Sequence, residues 1–137
     1  MEGHQTRPNL KLWYASRQRV GIEDPRWPFD NVPPMVQISL ANAALATSGT
    51  GRRGFVVGGV KYGHVIDPRT GIPVDHVLSA SVVAPDAVTA GALATAAMVL
   101  APDESVLLGD EFQDVGVFIL AADGQQYRNH YWRSLER

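Results

Sequence analysis

Residues 64–71 combine a short apolar run with a turn that contains proline, glycine and several polar side chains. They provide an imidazole (His64), a carboxylate (Asp67), a guanidinium (Arg69) and a hydroxyl (Thr70). An imidazole whose pKa lies near neutrality can act as a general base or contact a phosphate group. A structural role fits the same residues: Asp67 would cap a turn, Arg69 would pair with it, and His64 would be an ordinary strand residue. The residue types alone leave both interpretations open.

The backbone of this segment is predicted to leave a strand and reverse tightly. Pro68 fixes its own φ and favours an extended conformation at Asp67, while Gly71 permits a positive φ. This combination is typical of a turn that follows a strand. We therefore expect these polar side chains to lie at the end of a strand.

A second candidate site begins in residues 42–49, which are mostly small and end in Thr47, Ser48 and Gly49. The basic residues Arg52 and Arg53 follow shortly after. Small residues with free hydroxyl and amide groups, next to arginines, permit the close approach of a phosphate, so residues 47–53 are compatible with a phosphate or nucleotide site. A glycine-rich hairpin loop with solvated arginines explains the same pattern, and this is the interpretation that we favour.

Length and composition predict one globular domain over residues 1–137. Hydrophobic residues make up 45% of the chain and charged residues 19%, with a net charge of -2. This balance is that of a folded protein, and it provides no broad basic surface for nucleic acid. Because the sequence contains no cysteine, disulfides, thiolate metal sites and a cysteine nucleophile are excluded. The first residues show no charged segment followed by an apolar run, so we expect neither a secretory signal nor a membrane span in this sequence.

The elements that would position the polar side chains are predicted to form an α+β fold. Residues 1–18 have few apolar side chains and are predicted to be a flexible arm. Alternating patterns and glycine-containing turns indicate strands at residues 19–23, 35–40, 55–57, 60–62, 78–84, 115–121 and 126–132. The main helix is predicted to run from its N-cap Asp86 to about Leu100, with further helical turns at 103–108. This order favours a largely antiparallel sheet with the main helix packed on one face.

Several ordered blocks of sequence resemble a known family. They lie at residues 20–26, 46–49, 64–74, 81–85 and 92–96. In this order and with this spacing they resemble the FAD:protein FMN transferases, the ApbE-like family. The resemblance extends over most of the chain and implies a partial domain of the ApbE-like, T-fold-like type.

The resemblance also implies an activity and a set of site residues. Members of the family bind FAD and magnesium, cleave the pyrophosphate and attach FMN to a threonine or serine hydroxyl of an acceptor protein, typically a subunit of a membrane redox complex. A periplasmic or membrane-associated setting is implied with it. By resemblance, His64 is the catalytic residue, His64, Val65 and Asp67 belong to the flavin site, and Ala94 and Thr95 belong to the metal site.

Two departures from the family pattern bear on activity. An aspartate that ligates the metal in the family, four residues before a threonine ligand, is replaced here by Gly91. The chain also resembles only the C-terminal half of family members. We therefore expect weak magnesium binding and impaired transfer, and the alternative is a non-catalytic flavin-binding or structural module. A sheet edge left uncovered by the missing half would favour a homo-oligomer.

Overall fold

The computed structural model describes residues 9–13, 16–27, 31–49, 55–57, 60–62 and 66–136. These residues form a mixed α+β fold, as predicted. The strands are β1 (Asn9–Trp13), β2 (Gln18–Ile22), β3 (Val36–Leu40), β4 (Ala43–Gly49), β5 (Phe55–Val57), β6 (Val60–Tyr62), β7 (Ile66–Asp67), β8 (Ile72–Pro73), β9 (Val77–Ala84), β10 (Gly116–Ala121) and β11 (Gln126–Arg128). The helices are α1 (Ala87–Val99), α2 (Pro102–Asp110) and α3 (His130–Leu135). Within these described ranges, no helix is both long and apolar enough to cross a lipid bilayer.

A five-stranded sheet with the order β1-β4-β9-β10-β11 organises the fold, and its neighbouring strands are all antiparallel. The three pairs β2–β3, β5–β6 and β7–β8 form separate antiparallel hairpins. Strands β9 and β10 are buried along almost their whole length, because both faces of the sheet are covered. This explains why the sequences of these strands contain few polar residues.

Helix α1 packs on one face of the sheet through small side chains. Its buried alanines, Ala90, Ala94 and Ala97, join Ala44 and Ala46 of β4 in one core cluster. Small residues on both surfaces let the helix backbone lie close to the strands, which offsets the modest apolar area of each side chain. The predicted N-cap is confirmed, since the Asp86 carboxylate accepts a hydrogen bond from the Thr89 backbone N–H at 2.8 Å.

The opposite face of the sheet is covered by the β2–β3 hairpin and helix α3. Ile38 and Leu40 of β3 pack there with Phe118 and Trp132 in a second core cluster. The rings of Phe118 and Trp132 stack with their centroids 5.3 Å apart. The sheet is therefore the middle layer of three, and α1 packs on the face opposite to this second cluster.

Three sequence-based predictions of local structure are wrong. Residues 43–49, the first part of the predicted hairpin loop, form β4 near the centre of the sheet, because β1 and β9 pair with this strand on its two sides. The rest of that predicted loop, residues 50–53, lies outside the described part of the chain. Part of the predicted arm, Asn9–Trp13, is the edge strand β1, while residues 1–8, 14 and 15 lie outside the described part of the chain. The predicted strand at 126–132 ends at Arg128, since the Asn129 side chain accepts a hydrogen bond from the Trp132 N–H and begins α3.

Candidate functional site

The polar turn predicted from the sequence is present and connects β7 to β8. Asp67 ends β7, and its carbonyl accepts hydrogen bonds from the N–H groups of Thr70 (3.2 Å) and Gly71 (2.8 Å). Gly71 has a φ of 71°, the left-handed conformation for which glycine was expected. The chain therefore reverses between Asp67 and Ile72, and the polar side chains lie at the end of a strand.

Arg69 holds the Asp67 carboxylate from both its backbone and its side chain. The Arg69 N–H and Nε donate to Asp67 Oδ1 at 2.8 and 3.1 Å, and Nη2 donates to Oδ2 at 3.1 Å. The hydrogen bonds from the guanidinium, followed by that from the backbone N–H, lower the pKa of Asp67 from its ordinary value. The carboxylate is therefore ionised, and its charge is balanced locally by Arg69.

Acid is expected to loosen this turn. Because the pKa of Asp67 is lower in the folded chain than in the unfolded chain, its stabilising effect is complete above the unfolded value of about 3.9 and is lost as pH falls below it. In an NMR titration, the Arg69 amide resonance should shift with a midpoint below about pH 3.9. The matched variant Asp67→Asn should lack this transition, and a midpoint at or above the ordinary value for aspartate would contradict the expectation.

The turn is fixed to the C-terminal end of α1 by contacts between residues far apart in sequence. Arg69 Nη2 also donates to the carbonyl of Val99 at 3.2 Å. His76 Nε2 lies 2.9 Å from the carbonyl oxygen of Leu100, and since a carbonyl only accepts, this nitrogen carries the proton. Sequence reasoning identified neither contact. The available signal is that α1 has no basic residue in its own last turn, so side-chain donors to its last carbonyls come from elsewhere in the chain.

The predicted metal residues lie on the same helix but differ in exposure. Thr95 is exposed, and its Oγ1 donates to the carbonyl of Gly91 at 3.1 Å. Gly91, Thr95 and Val99 follow one another at intervals of four residues and therefore form one row along α1. Ala94 is fully buried against the sheet, and because a methyl group cannot ligate a metal, only its backbone carbonyl is available.

The donors on α1 do not fit a magnesium ion well. The Gly91–Thr95 row provides one hydroxyl and backbone carbonyls, whereas magnesium is usually held by one or two carboxylates together with water and phosphate oxygens. No cluster of three or more histidine, aspartate or glutamate residues that could hold a metal is found within the described ranges. The Asp67 carboxylate is already paired with Arg69. The assignment of Thr95 and Ala94 as metal ligands stays a prediction.

Other predicted site residues are not placed by the structure. His64 and Val65 lie outside the described residues, as do residues 50–54. Of the candidate phosphate site at 47–53, the first residues belong to β4, where Thr47 Oγ1 lies 3.0 Å from Ser81 Oγ and Ser48 is buried. These hydroxyls sit within the sheet, so this part of the segment is not the solvent-facing loop that the phosphate interpretation requires.

Comparisons with known proteins identify close relatives. The family model described as "ApbE family" matches residues 8–119. The FAD:protein FMN transferase of Treponema pallidum is 39% identical over 105 residues, which cover 76% of this chain and 28% of that protein. The FAD:protein FMN transferase of Escherichia coli K12 is 32% identical over 117 residues, which cover 85% of this chain and 32% of that protein.

Solved structures give the same result for the fold. The ApbE protein of Thermotoga maritima superposes with a TM-score of 0.79 at 35% identity, covering 88% of this chain and 38% of that one. The flavin transferase ApbE of Vibrio cholerae superposes with a TM-score of 0.64 at 25% identity, covering 88% and 37%. The chain thus spans roughly a third of the length of these relatives, a smaller share than the half expected from the sequence.

Proposed function

Because this chain belongs to the ApbE family, we propose that it forms the flavin-contacting part of an FAD:protein FMN transferase. The observation that carries the proposal is the turn at Asp67, which the family resemblance assigns to the flavin site and which is fixed to the end of α1. Ile72 lies opposite Asp67 in the β7–β8 hairpin and is 57% exposed. This exposed apolar side chain beside a polar turn suits a ligand that joins a flat aromatic ring to charged groups.

The proposed reaction is a phosphoryl transfer from FAD to a protein hydroxyl. A threonine or serine oxygen of the acceptor attacks the phosphorus of the FMN half, the bond between that phosphorus and the bridging oxygen breaks, and AMP leaves. His64 takes the proton of the attacking hydroxyl. We propose an acceptor that is a subunit of a membrane redox complex, in keeping with the resemblance.

Magnesium is expected to bind this chain only weakly. The family resemblance implies a magnesium ion, but Gly91 leaves the row on α1 without a carboxylate. We therefore propose that the chain by itself binds magnesium poorly and transfers little FMN. The same observation favours the second candidate function, a non-catalytic module that binds flavin or another protein.

Flavin titration and mass measurement distinguish these functions. We expect FAD fluorescence to report saturable binding to the chain, with little change when magnesium is added. The chain is then incubated with FAD, magnesium and a threonine-containing acceptor peptide, and a peptide with valine in place of that threonine is the control. A peptide mass increased by one FMN group, absent from the valine peptide and from His64→Ala, would establish transfer. Binding without transfer would support the non-catalytic module, and absence of saturable FAD binding would refute both flavin functions.

A further inference from the structure

The chain contains the tripeptide Asp-Pro-Arg twice, and both copies form the same local turn. In residues 24–26, the Arg26 N–H and Nε donate to Asp24 Oδ1 at 2.9 and 3.0 Å, and Nη2 donates to Oδ2 at 2.7 Å. In residues 67–69, the corresponding distances are 2.8, 3.1 and 3.1 Å. The same set of hydrogen bonds therefore forms at two different places in the fold.

The two arginines differ in the contacts that they make outside their own turn. Arg69 Nη2 donates to the carbonyl of Val99, 30 residues further along the chain. Arg26 lies at another place in the fold, since a Cβ added to Gly124 in the β10–β11 turn would be 3.1 Å from Arg26 Nη1. Among the hydrogen bonds of the described residues, none joins Arg26 to α1.

The Val99 contact is favourable for reasons that do not depend on the ion pair. The last carbonyls of a helix lack partners within the helix and carry the negative end of its dipole. Arg69 therefore donates a hydrogen bond to one of these carbonyls, that of Val99, and His76 donates to the next one, that of Leu100. Arg69 is 64% exposed at its side chain, so its pairing with Asp67 alone would be only weakly stabilising.

We propose that Arg69 is a positioning residue that fixes the Asp67 turn at a set place against the Gly91–Thr95–Val99 row of α1. One guanidinium group bonds the carboxylate of the turn and the carbonyl at the end of that row. The turn and the helix are separate elements of the fold, and the resemblance assigns the flavin site to one and the metal site to the other. As far as it concerns flavin, this inference rests on the proposed function.

The experiment compares Arg69→Ala with Arg26→Ala, which breaks the same local turn elsewhere in the fold. Hydrogen exchange is followed at the amides of Thr70 and Gly71 and at residues 97–100, and FAD binding is titrated in parallel. We expect Arg69→Ala to speed exchange at both places by roughly tenfold and to weaken FAD binding by about as much, because the site is no longer preorganised. Arg26→Ala should leave exchange at residues 97–100 and FAD binding within about twofold of the unmodified chain.

Arg69→Lys tests whether the effect of Arg69 comes from its hydrogen-bond geometry or from its positive charge. Lys keeps the charge but lacks the planar fork that bonds two acceptors, so Arg69→Lys should restore exchange protection and FAD binding only in part. Unchanged exchange at residues 97–100 in Arg69→Ala, or an equal change in Arg26→Ala, would overturn the proposal. Absence of FAD binding by the unmodified chain would refute the proposed function, while the exchange measurements would still decide whether Arg69 fixes the turn.

Discussion

Gly91→Asp is expected to raise the affinity of the chain for magnesium by roughly tenfold or more, about 1.4 kcal/mol. The aspartate would stand four residues before Thr95 in the row along α1, and the Gly91 carbonyl already accepts a hydrogen bond from the Thr95 hydroxyl. A carboxylate there would supply both a hard oxygen ligand and a negative charge, which a hydroxyl and backbone carbonyls do not provide. Calorimetric titration of magnesium into both forms measures the change.

Two variants on the same helix are the controls for this prediction. Ala92→Asp places a carboxylate at an exposed position one residue along α1, outside the row of Gly91 and Thr95. Gly91→Ala removes the glycine without adding a ligand, and it controls for the gain in helix propensity, which is about 1 kcal/mol. Magnesium affinity should rise only in Gly91→Asp. Tight binding by the unmodified chain, or an equal gain in Ala92→Asp, would mean that the Gly91–Thr95 row is not the metal site.

The elements that sequence reasoning predicted correctly are those whose signals are local. Asp86 caps α1 because its own carboxylate bonds an N–H three residues on, and Gly71 adopts its positive φ within a four-residue turn. Both signals lie within a few neighbouring residues, so they can be recognised in the sequence before the tertiary structure is known.

Predictions failed where tertiary contacts decide the structure. The alanine-, serine- and glycine-rich β4 has low intrinsic strand preference, yet it is a strand because β1 and β9 pair with it on both sides. Trp132 lies in a short segment whose apolar pattern suits a strand or a helix, and the Asn129 side chain selects the helix.

The candidate site shows the same limit. Sequence reasoning identified Asp67 and Arg69 as a turn and expected Thr95 of the main helix to face the same groove, but it did not predict the hydrogen bond that joins the turn to α1. The bond between Arg69 and Val99 connects positions 30 residues apart, and no local pattern specifies such a contact. The relation of the turn to α1 is therefore a property of the fold, and it is the part of the site that the structure adds.

Trp132→Ala is expected to lower the free energy of unfolding by about 3–5 kcal/mol, the largest loss of stability that we predict for a single substitution. Trp132 is completely buried and stacks on Phe118, in the cluster that joins α3 and β3 to the sheet. Its backbone also lies close to β10, since a Cβ added to Gly116 would be 3.2 Å from Trp132 Cα. Because this contact holds the helix against the strand, the cavity left by the indole cannot readily collapse. Urea unfolding followed by circular dichroism measures the loss.

Trp132→Phe is the matched variant, and it tests whether the ring or its N–H group provides this stability. The Nε1 of Trp132 is buried without a hydrogen-bond partner, as far as the described part of the chain shows. A phenyl ring would keep the stacking with Phe118 and remove a donor that gains nothing in the folded state, so the loss should be clearly smaller than that of Trp132→Ala. If Trp132→Phe proved as destabilising as Trp132→Ala, stacking of an aromatic ring on Phe118 would not be what stabilises the second core cluster. The stability of that cluster would then depend on a feature of the indole that a phenyl ring lacks, its larger volume or its N–H group.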